Sequence, residues 1–345
     1  MVDSSFPWDE LLSHYNTEIK SQHLRTLLQD ASRNSLLRAE FDSITLDFSH
    51  IKMTDKTLQI LENLVEKTHL FSQIESLFKG EKINISEKRS VLHVALRSSP
   101  EDFYPSDGKN MVPEVHAVLK QISSFSSAIR THTLKGFTNK DLINVVVIGI
   151  GGSYLGIEFV YEALRSHPEA RKLANGRKLK FLANVDPIDF TRAVEGLNAE
   201  ETLFVVNSKT FTTAETILNA KSCKDWVLKH YEQLGFKKED HNKIVNAHFC
   251  ACSTNLDETS KFGIQDKERV FAFWDWVGGR FSVSSCIGVL SLSLHFGFEF
   301  IQEFLKGMRS IDQHFLHTRK VRQNLPLLLG LIGFYNTTIQ SNFFI

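Results

Sequence analysis

The sequence predicts an α/β protein built on a doubly wound parallel sheet, preceded by a helical N-terminal extension. Three observations carry that prediction. The run Ile143-Asn144-Val145-Val146-Val147-Ile148-Gly149-Ile150 is rich in β-branched residues and reads as a strand buried on both faces. After it, strand-like and helix-like segments alternate at the spacing of parallel strands joined by helical crossovers. Before it, Leu and Ile recur at helical intervals with charges between them.

Residues 8–39 and 56–79 carry that helical spacing. Ser86-x-x-Arg89, followed by Val91, Leu92, Val94, Ala95 and Leu96, predicts another helix. Loops are signalled at Ser98-Ser99-Pro100 and Pro105-Ser106-Asp107-Gly108. Pro113 opens a helix to about Arg130, because a first turn does not need the N–H that proline lacks. Beyond the 143–150 strand, 179–185, 202–207 and 243–253 read as strands and 213–234 as a helix. In such a sheet, ligands bind where strands end and helices begin.

Composition narrows the function. The chain has 345 residues, 42% hydrophobic and 23% charged, with Lys+Arg and Asp+Glu at 40 each. That balance gives no basic field for nucleic acid or for an anionic membrane. No apolar stretch reaches the roughly 18 residues of a membrane span. Met1 to Asp9 lacks the basic-then-apolar layout of a secretory leader. Cys223, Cys250, Cys252 and Cys286 are too few and scattered for a disulfide framework. Cys250 and Cys252 share a strand face without a metal-ligand partner at the right spacing, so they read as small hydrophobes. The expectation is a cytoplasmic protein with no metal.

Three loops carry chemistry. Gly149-Ile150-Gly151-Gly152-Ser153-Tyr154-Leu155-Gly156 follows the first strand directly. A dinucleotide fingerprint needs a third glycine where Tyr154 stands, and no Walker lysine follows. A nicotinamide enzyme keeps one point in its favour, Asp186 at the end of the second strand, and loses on Tyr154. What remains is a glycine turn, a hydroxyl and an open helix start, which is an anion site, or else Ser153 is a plain helix cap.

The second loop, Asn207-Ser208-Lys209-Thr210-Phe211-Thr212-Thr213-Ala214-Glu215-Thr216, offers four hydroxyls and one cation before a helix. Thr212-x-x-Glu215 fits a capping box, but a cap needs one hydroxyl and this loop has several suited to a phosphoryl group. The third loop, Phe273-Trp274-Asp275-Trp276-Val277-Gly278-Gly279-Arg280-Phe281-Ser282, reads as a rigid turn that aims a guanidinium at a ligand. Arg280 can stabilise an oxyanion but cannot act as a base; the other reading pairs it structurally with Asp275. His93, in the apolar stretch after Arg89, reads as a satisfied core residue.

These loops, with Asn84–Arg97, Asn110–Leu119 and Asp275–Gly288, resemble blocks of the glucose-6-phosphate isomerase (phosphoglucose isomerase) family, from about residue 35 onward. The resemblance implies residues 1–136 as a helical region, 137–295 as a first sugar isomerase domain, and 296–345 as the start of an incomplete second one. It implies that Gly152 and Ser153 contact the substrate and that Ser208, Lys209, Thr210 and Thr213 hold its phosphate. Arg280 would stabilise the enediolate at the C1–C2 end, in an aldose–ketose isomerisation without metal or organic cofactor. A homodimer, with a small sugar phosphate as ligand, is implied too.

The family's proton-shuttling glutamate and its ring-opening histidine and lysine lie beyond Ile345, so no residue here takes those roles. Together with the apolar run Leu325–Phe334 and the ending Asn342-Phe343-Phe344-Ile345, this gives the expectation of a chain cut in mid-fold and inactive alone. The competing expectation is a non-catalytic sugar-phosphate-binding regulatory module.

Overall fold

The computed structural model describes residues 7–340, so the apolar ending at 342–345 lies outside the described residues. Packing separates two units, residues 1–79 with 308–345, and residues 80–307.

The second unit is organised by a five-stranded sheet. Its leading helix α1 (Val112–Arg130) carries Pro113 in the first turn, as the sequence indicates. The elements that follow are β1 (Asn144–Ile148), α2 (Leu155–Leu164), β2 (Lys178–Leu182), α3 (Pro187–Val194), β3 (Thr202–Asn207) and α4 (Ala214–Gln233). Then come α5 (His241–His248), β4 (Phe249–Cys252), β5 (Val270–Phe271) and α6 (Cys286–Phe296). The strands run in the order β2-β1-β3-β4-β5, and every pairing is parallel. Asn144 sits beside Lys178 on one side and Thr202 on the other. The order therefore reverses between β1 and β3, the switch point beside which doubly wound sheets open a crevice. Both strands are buried along their whole length.

The core of this unit gathers Val146, Ile148, Phe204 and Val206 from the sheet with Val227, Tyr231, Ile244 and Val245 from the helices. At the opposite end from the crevice, a polar network closes the sheet. His248 donates from Nδ1 to the Thr202 carbonyl at 2.8 Å and accepts at Nε2 from Tyr231 Oη at 2.8 Å and Phe137 N–H at 3.2 Å. Glu200 beside it accepts from Thr138 and Lys140.

Two segments differ from the sequence reading. Residues 243–253 are not one strand: α5 runs to His248 and only 249–252 pair in the sheet. Ile244, Val245 and His248 lie on one buried helical face, a period that a short apolar run conceals. Residues 86–96 are not a helix. Asn84 and Arg89 form an antiparallel bridge, Lys88 turns through φ +53°, and a 3₁₀ turn covers His93–Arg97. Leu92 N–H is taken by the Trp276 carbonyl at 3.2 Å, so a tertiary partner displaces the helical ladder.

The first unit has its own core, with Leu11, Leu37, Phe48, Leu58, Leu61, Leu328 and Tyr335 among its buried members. The helical stretch expected over 8–39 breaks into Pro7–His14 with its π-helical continuation Tyr15–Ile19, Leu24–Leu27 and Ala31–Leu36, and Arg38–Phe41 instead pairs with Ile44–Asp47 in a hairpin. Arg33, 5% exposed, binds the carbonyls of Met53 (2.8 Å), Ser49 (3.0 Å) and Ile51 (2.6 Å) and so fixes the chain after that hairpin. Among the described residues, no helix is long and apolar enough to cross a membrane.

Candidate functional site: three interlocked loops at the switch point

The loop after β1 turns at once into α2, and its neighbours dictate its glycines. A Cβ on Gly152 would stand 2.3 Å from the Gly279 carbonyl oxygen and 3.0 Å from the Arg280 nitrogen, so no other residue fits there without moving that backbone. Ser282 Oγ sits 2.7 Å from both the Gly152 and the Gly279 carbonyl oxygens, and so ties the two loops together. Ser153 is half-buried, and its hydroxyl has no partner among the described residues. It is not a helix cap. The N-terminal position of α2 is Tyr154, and no side chain caps it. The Tyr154 ring packs edge-on against Phe181 at 5.5 Å and its hydroxyl donates to Glu158. Burial first, then Glu158, pushes that phenol above its ordinary range.

The loop after β3 is built from backbone pinned on all sides. Ser208 N–H donates to the Cys252 carbonyl at 3.2 Å, and the Lys209 carbonyl accepts from Thr254 N–H at 2.9 Å and Ser253 Oγ at 3.1 Å. Asn255 Nδ2 donates to the Thr210 carbonyl at 3.1 Å. Phe211 holds φ +56°, a conformation uncommon for a bulky residue, and its buried ring packs on Phe262 at 5.7 Å. That anchor keeps the flanking hydroxyls on the open side of the loop.

The capping box does not form. The helix begins at Ala214, so Thr213 occupies the cap position with no side-chain bond and Glu215 falls one residue early. Thr212 Oγ1 instead meets Thr210 Oγ1 at 2.6 Å, while Ser208 Oγ lies 3.5 Å from Thr213 Oγ1. Two helices, α2 and α4, thus present starts that no side chain caps, beside a set of hydroxyls. Helix N-termini of this kind favour anions.

Arg280 is exposed and makes no ion pair or hydrogen bond among the described residues. Its alternative partner is engaged elsewhere: Asp275 Oδ1 lies 2.9 Å from Lys209 Nζ, which also sits 5.6 Å from the Phe273 ring centre. The third loop is braced from outside by stacked Trp274 and Trp276 and by Trp274 Nε1, which donates to Glu114 at 3.0 Å. Asn207 Nδ2 donates to the Ser153 carbonyl at 3.3 Å and its Oδ1 is buried without a partner, at the seam of the first two loops. The sequence-selected residues Gly152, Ser153, Ser208, Lys209, Thr210, Thr213 and Arg280 therefore lie on three loops that touch one another.

A fourth segment was missed. His93 stacks on Phe281, ring centres 4.4 Å apart and planes 6° apart, and Arg97 donates to Ser284 Oγ at 3.0 Å. His93 is largely buried and partnered, as the sequence suggested, but on the Arg280 loop rather than in a helix. Its apolar surroundings hid that placement.

Other candidates resolve simply. All four cysteines are buried, and burial pushes the Cys250 thiol up to about 12. Among the described residues no group of His, Cys, Asp and Glu is arranged to hold a metal. Asp186 caps α3, accepting from Ile188 N–H at 2.8 Å, which gives the carboxylate a structural task in place of a ribose.

A sequence profile of the phosphoglucose isomerase family matches residues 47–343. The chain is 50% identical over 331 residues to the cytosolic glucose-6-phosphate isomerase of Spinacia oleracea, covering 96% of this chain and 56% of that protein. To the cytosolic glucose-6-phosphate isomerase of Arabidopsis thaliana it is 48% identical over 331 residues, covering 96% and 57%. The crystal structure of a glucose-6-phosphate isomerase from Chlamydia trachomatis superposes with a TM-score of 0.76 at 27% identity, over 97% of this chain and 60% of that one. The chain thus spans a little over half the length of the curated relatives it matches. With the profile running through all three loops and half of the aligned residues shared with a plant relative, the chain belongs to the phosphoglucose isomerase family.

Proposed function

We propose that this chain is the substrate-phosphate-binding part of a glucose-6-phosphate isomerase, which interconverts glucose 6-phosphate and fructose 6-phosphate through an enediolate. The observation that carries the reading is the interlocking of three loops at the carboxyl ends of the strands, which bring together hydroxyls, helix N-termini and a guanidinium unpaired among the described residues. In this reading Ser208, Lys209, Thr210 and Thr213 hold the phosphate with side chains and amides. Lys209 exchanges Asp275 for the incoming dianion. Gly152 lets the sugar approach the backbone, and the free Ser153 hydroxyl bonds to it. Arg280 stabilises the negative charge that develops on oxygen as the proton leaves C2, a task that suits a permanent cation with no competing ion pair among the described residues.

Proton transfer between C2 and C1 also needs a positioned base. A guanidinium such as that of Arg280 is not a base. No residue of this chain is assigned the base or the ring-opening roles, so the 345-residue polypeptide binds sugar phosphate without turning it over. The division at 137–295 and 296–345, the cytoplasmic location that the relatives' names support, and a homodimer belong to the same proposal.

The test is a coupled dehydrogenase assay with the pure chain and fructose 6-phosphate, run beside a calorimetric titration. Binding without glucose 6-phosphate production is expected. Turnover would show that a base has been overlooked, and absence of binding would remove the cradle. A second reading, a non-catalytic sugar-phosphate-binding module, accounts for the same hydroxyl-bearing loops and uncapped helix starts without a base. It is separated from the first by reading the coding region past Ile345 for a glutamate and a histidine in frame.

A further inference from the structure

We infer that His93 is a positioning residue for the sugar end of the site: its imidazole is the platform that sets Phe281, and through it Arg280. The inference rests on the phosphosugar reading above.

Four contacts carry it. Leu92 N–H docks the segment on the Trp276 carbonyl at 3.2 Å. The His93 ring lies flat against Phe281, 4.4 Å between centres. Arg97 donates from Nη2 to His93 Nδ1 at 3.1 Å and from Nη1 to Ser284 Oγ at 3.0 Å. The chain of contacts Ser284, Arg97, His93, Phe281 thus leaves the Arg280 loop and returns to it. It braces a turn whose inner side is already fixed by Ser282.

The direction of the Arg97 bond settles the tautomer. Nδ1 is the acceptor, so the ring proton sits on Nε2. Nε2 has no partner among the described residues and is not one of the closed-off polar atoms, so it remains open as a neutral N–H donor. Burial first, then the charge of Arg97, holds the ring's pKa at about 4. Neutrality matters to the device: a charged ring would add a cation beside Arg97 and against Phe281, the residue next to Arg280. Phenylalanine would keep the stack but remove the acceptor for Arg97 Nη2, and glutamine would keep an acceptor but lose the flat face.

The test uses the full chain and two probes. Inorganic phosphate reads the 208–213 cradle alone. 6-Phosphogluconate adds a carboxylate where Arg280 would meet the sugar. His93→Phe and His93→Gln are each expected to weaken 6-phosphogluconate about tenfold while leaving inorganic phosphate within about twofold. Equal weakening of both probes, or no change in either, overturns the inference. In the unmutated chain, nitrogen-15 NMR should find the His93 proton on Nε2 from pH 8 down to pH 5, at about one unit above its folded pKa. A proton on Nδ1, or a midpoint near the ordinary histidine value, overturns it independently of whether either variant folds. If the unmutated chain fails to bind inorganic phosphate, the cradle reading falls, and the ring spectrum still decides the state of His93.

Discussion

Replacing Gly152 with alanine adds a single carbon at the point where two loops meet, and the geometry sets the outcome. The new Cβ would lie 2.3 Å from the Gly279 oxygen and 2.4 Å from its carbonyl carbon, against 3.4 Å or more for an ordinary contact. Relief requires the 278–282 backbone to retreat by about 1 Å, because the obstacle is main chain and has no rotamer to yield. That movement strains both 2.7 Å bonds from Ser282 Oγ. The stability cost is about 1–3 kcal/mol, the usual range for overpacking. Arg280 follows its loop, and losing its charged hydrogen bond to the ligand costs about ten- to a hundredfold in affinity. Calorimetry with fructose 6-phosphate should therefore show a large loss of affinity. Inorganic phosphate, read by the 208–213 loop, should bind within about threefold of the unmutated chain. An alanine variant that melts like the parent and binds fructose 6-phosphate equally well would refute the interlocking of the loops.

Three further outcomes follow from the same structure. Lys209→Ala should weaken inorganic phosphate about ten- to a hundredfold, the range for a hydrogen bond to a charged group, measured by phosphorus-31 NMR titration. Acid should destabilise the 80–307 unit in two windows. His93, His248 and His295 are held at about 4, against an ordinary 6.5, chiefly by burial. The unfolded chain takes up protons there that the folded chain refuses, so stability falls as pH drops from 6.5 to 4, by up to about 3 kcal/mol at His248. Glu200, held at about 2 by Lys140 and Thr138, adds a loss between its ordinary 4.5 and that value. A urea midpoint unchanged from pH 7 to pH 4.5 would contradict this. In the other unit, Arg33→Met strands several buried carbonyls and should lower stability by about 3 kcal/mol in urea unfolding.

What the sequence made legible was whatever is encoded locally. The β-branched runs 144–148 and 202–207 are buried strands because both faces are covered, and their composition says so. The glycine and hydroxyl loops are readable for the same reason, each following its strand without a gap. What escaped notice depends on distant partners. The two-residue strand Val270–Phe271 exists only because β4 offers it an edge. The helix expected over 86–96 yields to the Trp276 carbonyl and the Asn84–Arg89 bridge. The sequence offered only Arg280 as a structural partner for Asp275, and the folded loops place Lys209 there instead. The capping box at Thr212 failed by one residue, within the usual uncertainty of a helix start.

In the proposed function one sugar phosphate spans all three loops, its phosphate on 208–213 and its C1–C2 end at Arg280. Amide chemical-shift mapping of the full chain during a fructose 6-phosphate titration tests this most directly. Shifts are expected to concentrate at 151–156, 208–214 and 278–282 and to saturate together with one affinity. Shifts confined to one loop, saturating separately, or appearing elsewhere in the chain would contradict it.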